Sequence, residues 1–185
     1  MAIGEYAVKI VIIRHGEVDY KMRKWSNSEE VSQDYKMYDQ APVISAEYNV
    51  PKSGSQAYYV SSLSRTLETA KAMFGEQDYI VSELIDEVPL SASIETKLRL
   101  PLVFWNITGR IQWLFNNKRQ KESRKETIIR AERFVEDLVS KNEDCAIVTH
   151  GFFMITLLNV MKKKGFYIKG KSSGFANGEY TIAEI

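Results

Sequence analysis

A chain of 185 residues, 44% hydrophobic and 26% charged, suits one domain with a substantial core and has the make-up of an ordinary globular protein. Its net charge of +1 gives no global pull toward nucleic acid or an anionic membrane, so any preference for anions has to be local. A single cysteine, Cys145, excludes an intrachain disulfide and fits a reducing compartment; the cytoplasm is the expected location, and a small core residue the expected role.

The N-terminus lacks a signal-peptide pattern, because Glu5 and Lys9 interrupt it. Residues 8–14 then form an apolar, β-branched run that reads as a buried central strand and stops at Arg14-His15-Gly16. The loop after it carries Asp19, Tyr20, Lys21, Arg23, Lys24 and Trp25. Ser26-Asn27-Ser28-Glu29 has capping-box spacing and predicts a helix to about Met37. Residues 39–55, with Pro42, Pro51 and Gly54, read mainly as loop. Ala57-Tyr58-Tyr59-Val60-Ser61 suits a second strand, and a helix over 64–74 closes at Gly75. A short strand over 79–82 leads into an acidic segment, Glu83 to Leu90.

Residues 98–117 predict a helix rich in aromatics, either a core-packing element or a roof over a pocket. Ser123-Arg124-Lys125-Glu126 opens another helix, with Ile128, Ala131, Phe134, Val135, Leu138 and Val139 on one face. Ala146-Ile147-Val148-Thr149-His150-Gly151 repeats the first pattern of apolar strand, histidine and glycine. The chain has two histidines, and both stand at this kind of junction, where open α/β sheets place ligand crevices. A helix over 152–164 follows, and residues 180–184 alternate like an edge strand. Strands alternating with helices predict an α/β three-layer sandwich with a mostly parallel sheet, and no linker or repeat divides residues 1–185.

Three motifs in order resemble the histidine phosphatase superfamily, phosphoglycerate-mutase-like branch: Arg14-His15-Gly16, then Ser61-Ser62-Leu63-Ser64-Arg65-Thr66-Leu67-Glu68-Thr69-Ala70, then Val148-Thr149-His150-Gly151. The Leu-Thr-x-x-Gly-x-x-Gln-Ala stretch common in the family is absent from residues 39–55, and Val88-Pro89-Leu90 stands where a Gly-x-x-Glu-Gly is usual. The resemblance implies hydrolysis of phosphate monoesters with no cofactor and no metal. His15 would attack phosphorus as a neutral imidazole, held in one tautomer by a backbone carbonyl, and form a phosphohistidine that water hydrolyses. Arg14 and Arg65 can each offer a planar fork of donors to phosphate, and His150 a further one. Gly16, Lys21 and Arg23 are further candidates for substrate contact. The leaving oxygen needs a proton donor; the resemblance implies a glutamate after the third strand, and Glu87 is the choice, with Asp86 and Glu83 as alternatives.

Two histidines and one cysteine form no spaced ligand cluster, and Gly16 and Gly151 belong to no Gly-x-Gly-x-x-Gly or P-loop pattern. Partners expected are a small phosphorylated substrate or a phosphoprotein, without nucleic acid. The tryptophans of 98–117 come without a clear basic-amphipathic pattern, so no membrane partner is expected. A phosphoglycerate-type mutase is the nearest alternative, although Val18-Asp19-Tyr20-Lys21 replaces the mutases' Ser-x-Trp-Asn. A phosphoprotein phosphatase or a non-catalytic phosphate-binding module are the others.

Overall fold

The computed structural model describes residues 8–49 and 54–185; the readings that rest on Glu5 and Pro51 lie outside them. Strand β1, Lys9–Arg14, is buried along its whole middle, as its unbroken run of valine and isoleucine requires. Beside it in parallel runs β6, Cys145–Thr149, buried at every position. Next come β3, Ala57–Val60, and β4, Ile80–Val81, both parallel as well. On the other side of β1 lies β8, Tyr180–Glu184, antiparallel to it, and beyond that β7, Tyr167–Lys169. The sheet order is thus β4-β3-β6-β1-β8-β7.

Helices cover both faces. On one, Ile10, Ile12, Cys145 and Ile147 pack with residues of α4, Arg124–Lys141, and α5, Gly151–Lys163. On the other, Val11, Ile13, Ala146 and Val148 meet Ala70 of α2, Ser64–Phe74, with Leu67 and Met73 packed against them. Each fully buried isoleucine of β1 contributes roughly 1.5–3 kcal/mol by leaving water. Because the two faces take alternate residues, a one-residue slip would exchange every one of them. That constraint fixes the register in which Arg14 lies opposite Thr149.

Several local expectations change. The first helix, α1, is Ser28–Gln40; its cap is Asn27 with Glu30, one residue later than predicted, because Ser26 is taken by the strand β2, Trp25–Ser26. The aromatic helix, α3, is Leu102–Leu114 and starts four residues late, since Leu100–Pro101 forms β5 against β2. Strand β8 is no edge: β7 pairs outside it. The three residues of β7, set between the positive-φ Gly165 and Gly170, are too few to show an alternation. Val139 points out to solvent, while Ile128 packs at the margin of the core.

Candidate active site

The register of β1 and β6 builds the centre of the site. With Arg14 paired to Thr149, the residues that follow, His15 and His150, leave adjacent parallel strands side by side, and their ring centroids are 5.0 Å apart. Strand β3 flanks β6 on its other side, so Ser61, which follows β3, reaches His150: its Oγ lies 2.8 Å from Nε2. The three sequence motifs meet at one end of the sheet because three neighbouring parallel strands end there.

His15 retains only 2% exposure. Its Nδ1 is 2.7 Å from the Gly16 carbonyl oxygen, which can only accept, so Nδ1 carries the proton and Nε2 keeps its lone pair. Burial first, then the Arg65 guanidinium, pushes the imidazole down to about 3, so it is neutral across the physiological range. His150 is wholly buried and is held well below its ordinary value by the same two causes. Its Nδ1 has no hydrogen-bond partner.

The two arginines are held from behind. Arg14 Nη1 donates to the Phe175 carbonyl, and Arg65 Nη1 to Asp39 Oδ1 at 3.1 Å, with the Tyr38 ring 5.3 Å from its guanidinium. The Nε of each is buried and unpartnered. Gly151 is needed for the arrangement: a Cβ there would stand 2.9 Å from Arg14 Nε. Buried N–H donors without acceptors are rare in folded proteins. Two arginine Nε atoms and a histidine ring nitrogen are thus buried without a partner, and burial together with the arginine charges holds the imidazoles of His15 and His150 neutral.

Arg14 and Arg65 line a cleft of about 1260 Å³, and so do Glu83, Asp86 and Glu87. The three acids differ in their attachments. Asp86 grips Ser62 with both oxygens, 2.7 Å from its N–H and 2.6 Å from its hydroxyl. Glu87 sits at the start of α5. Its Oε1 accepts from Val88 and Phe153 N–H at 2.9 and 3.0 Å, while Oε2 has one distant donor, Phe152 N–H at 3.4 Å. Oε2 is therefore the oxygen with room for a proton. The Glu83 carboxylate makes no hydrogen bond or ion pair with the described residues, and it stays on the cleft wall.

Lys21 and Arg23 are not brought to the cleft, which Met22 lines between them. Arg23 Nη1 is 2.7 Å from Oδ1 of the buried Asp34, which needs a cation there. Arg110 of α3 lines the wall instead, its guanidinium 3.6 Å from the Phe152 ring centroid. Gly16, His15 and His150 lie outside the lining too: the two histidines are buried, the Gly16 N–H donates to Thr69 Oγ1, and a Cβ on Gly16 would collide with Tyr48.

A family model described as the histidine phosphatase superfamily (branch 1) matches residues 10–185. The chain belongs to that superfamily. Solved structures with the same fold include phosphoserine phosphatase from Entamoeba histolytica in complex with phosphoserine, 17% identical, covering 95% of this chain and 89% of that one with a TM-score of 0.58. A mycobacterial glucosyl-3-phosphoglycerate phosphatase is 16% identical, with coverage of 94% and 88% and a TM-score of 0.58. Phosphoglycerate mutase from Bacillus anthracis is 13% identical, with coverage of 95% and 86% and a TM-score of 0.61. No curated protein matches the sequence.

In this histidine phosphatase fold, the sequence motifs leave out the supports supplied by the C-terminal loop. Asn177 Nδ2 donates to the carbonyls of both His15 and Gly16, at 3.2 and 2.9 Å. The N–H of Gly178, at φ +75°, reaches the carbonyls of Arg14 and His15. The Ser-Gly and Asn-Gly pairs in residues 173–178 are the signal for tight turns, but nothing in them says what the turns touch.

The lowered histidines make stability depend on pH. An unfolded chain takes up protons on both histidines as pH falls through about 6.5. The folded chain does not protonate His15 until about 3, so stability is full above 6.5 and drops as pH falls toward 3. The slope reaches about 1.4 kcal/mol per pH unit for each histidine. Urea unfolding at pH 7, 6 and 5 should show this loss before ordinary carboxylates titrate; equal stability at the three values would show that the histidines are not held neutral.

Proposed function

We propose that the protein is a phosphatase that hydrolyses phosphate monoesters through a phosphohistidine on Nε2 of His15. The observation that carries the reading is the pairing of a neutral His15, its tautomer set by the Gly16 carbonyl, with the unpartnered donors of Arg14, Arg65 and His150. In the first step the Nε2 lone pair bonds to phosphorus and the ester P–O bond breaks. The departing oxygen takes a proton from Glu87. Water then attacks phosphorus, Glu87 takes a proton back from it, and the P–N bond returns its electrons to His15. The arginines and His150 stabilise the equatorial oxygens throughout.

The cleft is larger than a phosphoryl group needs, so a small phosphorylated molecule or a phosphorylated side chain of a protein can be the substrate. Arg110 takes over from Lys21 and Arg23 as the candidate contact for a second anionic group.

No metal takes part in these steps, and no group of three His, Cys, Asp or Glu side chains fit for a metal occurs among the described residues. An aryl phosphate should therefore be hydrolysed at the same rate with and without a chelator. Activity lost to the chelator and restored by a divalent ion would overturn the mechanism. No hydrolysis of any phosphate ester would leave a binding module.

A further inference from the structure

Helix α3 turns an apolar face to solvent. Its buried side is Trp105, Gly109 and Trp113, and Asn106 and Arg110 on its flank line the cleft. Every exposed residue of the helix is apolar: Val103, Ile107, Ile111 and Leu114, one above another along some 16 Å at 1.5 Å per residue. Leu98, 72% exposed, precedes the helix, and Trp25, 59% exposed, is paired with Pro101 at its start. Phe115, 76% exposed, caps the other end. Single exposed apolar residues are ordinary, whereas an unbroken patch marks a contact surface.

Charge points to what covers it. Residues 92–125 hold eight Lys or Arg and two Glu, a net of +6 (eight minus two) in a chain whose total is +1, which leaves −5 for the rest. The cations flank both ends of the apolar face: exposed Lys97 before it, exposed Lys118, Lys121, Arg124 and Lys125 after it, with Arg99 and Arg119 at the two ends already paired to Glu30 and Glu95. A second copy of this chain fits poorly. Whether two such helices paired parallel or antiparallel about a two-fold axis, a cationic end would meet a cationic end.

We infer that the exposed face of α3, with Trp25, Leu98 and Phe115, docks on the surface of an anionic bilayer. The apolar side chains enter the boundary between headgroups and acyl chains, with the flanking lysines and arginines at the phosphates. No helix among the described residues is long and apolar enough to cross a membrane, so the contact is with the surface. Because α3 also walls the cleft, docking sets the cleft one helix width from the lipid. It departs from the sequence expectation of no membrane partner, which rested on the want of a clear basic-amphipathic pattern; the exposed face emerges once the buried tryptophans are told apart from the exposed aliphatics.

Flotation of the full chain with vesicles tests the inference. The protein should float with phosphatidylcholine vesicles containing phosphatidylserine, far less with phosphatidylcholine alone, and less as salt rises. Of the three tryptophans Trp25 alone is exposed, so emission should shift to the blue on the anionic vesicles and not in Trp25→Phe. Ile107→Asp with Ile111→Asp should lower partitioning about tenfold or more, with an unchanged circular dichroism melt. No flotation with the anionic vesicles at low salt, or flotation untouched by the double variant, would overturn it. So would a dimer in solution that the double variant splits, which would assign the face to a second copy.

Discussion

Turnover of phosphate esters by His15→Ala should fall by about 10⁴-fold or more, the scale seen when a nucleophile is removed from a concerted site. The side chain stands at a strand end and fills little of the apolar core, so the fold should survive. Its one hydrogen bond goes to the Gly16 carbonyl, which keeps Asn177 as a second donor at 2.9 Å. A stability cost of about 1–2 kcal/mol is expected from the lost bond and the small void. Inorganic phosphate should still bind, since the unpartnered nitrogens of Arg14, Arg65 and His150 remain. The variant should also lose less stability between pH 7 and pH 5 than the wild type, because one of two groups that fold in the neutral form is gone. Rates, a thermal melt and a phosphate titration measure these effects together. Turnover near the wild-type rate would remove His15 from the mechanism.

Glu87→Gln should slow cleavage of alkyl phosphates by about 10²-fold or more, the usual size of acid–base catalysis, and cost far less with an activated aryl leaving group. The substitution is clean in this setting. A glutamine carbonyl oxygen can take the place of Oε1 and accept the N–H groups of Val88 and Phe153. What it cannot do is deliver a proton from the second position, where only Phe152 N–H approaches, at 3.4 Å. Asp86 serves as the comparison. Both its oxygens hold Ser62 in the turn that leads to Arg65, so Asp86→Asn should lower rates for alkyl and aryl esters alike. Equal losses on both ester types in Glu87→Gln would show that Glu87 is not the donor. Leaving-group dependence in Glu83→Gln instead would place the donor on the other end of the same segment.

The centre of the site was legible in the sequence because its residues stand where strands stop. An apolar run that ends in a histidine and a glycine announces both the strand and the crevice at its carboxyl end. Two such runs in one chain, with the Ser61-to-Ala70 stretch between them, can only meet if the strands are neighbours, and the order β3-β6-β1 makes them so. Periodicity also located α4, and local chemistry bounded both α2, closed at Gly75, and α4, capped by Ser123 with Glu126.

What stayed hidden depends on distant partners. Lys21 and Arg23 looked like anion contacts because they follow Arg14-His15-Gly16, but a buried carboxylate nearly two turns into α1, Asp34, draws Arg23 away. The hold of Asn177 on the loop after β1 spans more than 160 residues and leaves no trace in local pattern. Helix α3 was legible as aromatic and apolar, but not which of its residues face the core and which the cleft. Trp113 belongs to the core, while Arg110 and Asn106 wall the cleft.

The proposed mechanism passes through a covalent phosphoryl group on His15, which can be trapped. Wild-type protein mixed with a phosphate ester and quenched within a turnover should carry one added phosphoryl group. The bond should be labile in acid and stable in base, and peptide mass spectrometry should place it on His15. His15→Ala should carry none. A phosphoryl group on another residue, or none in a wild type that turns over, would rule out a phosphohistidine at His15.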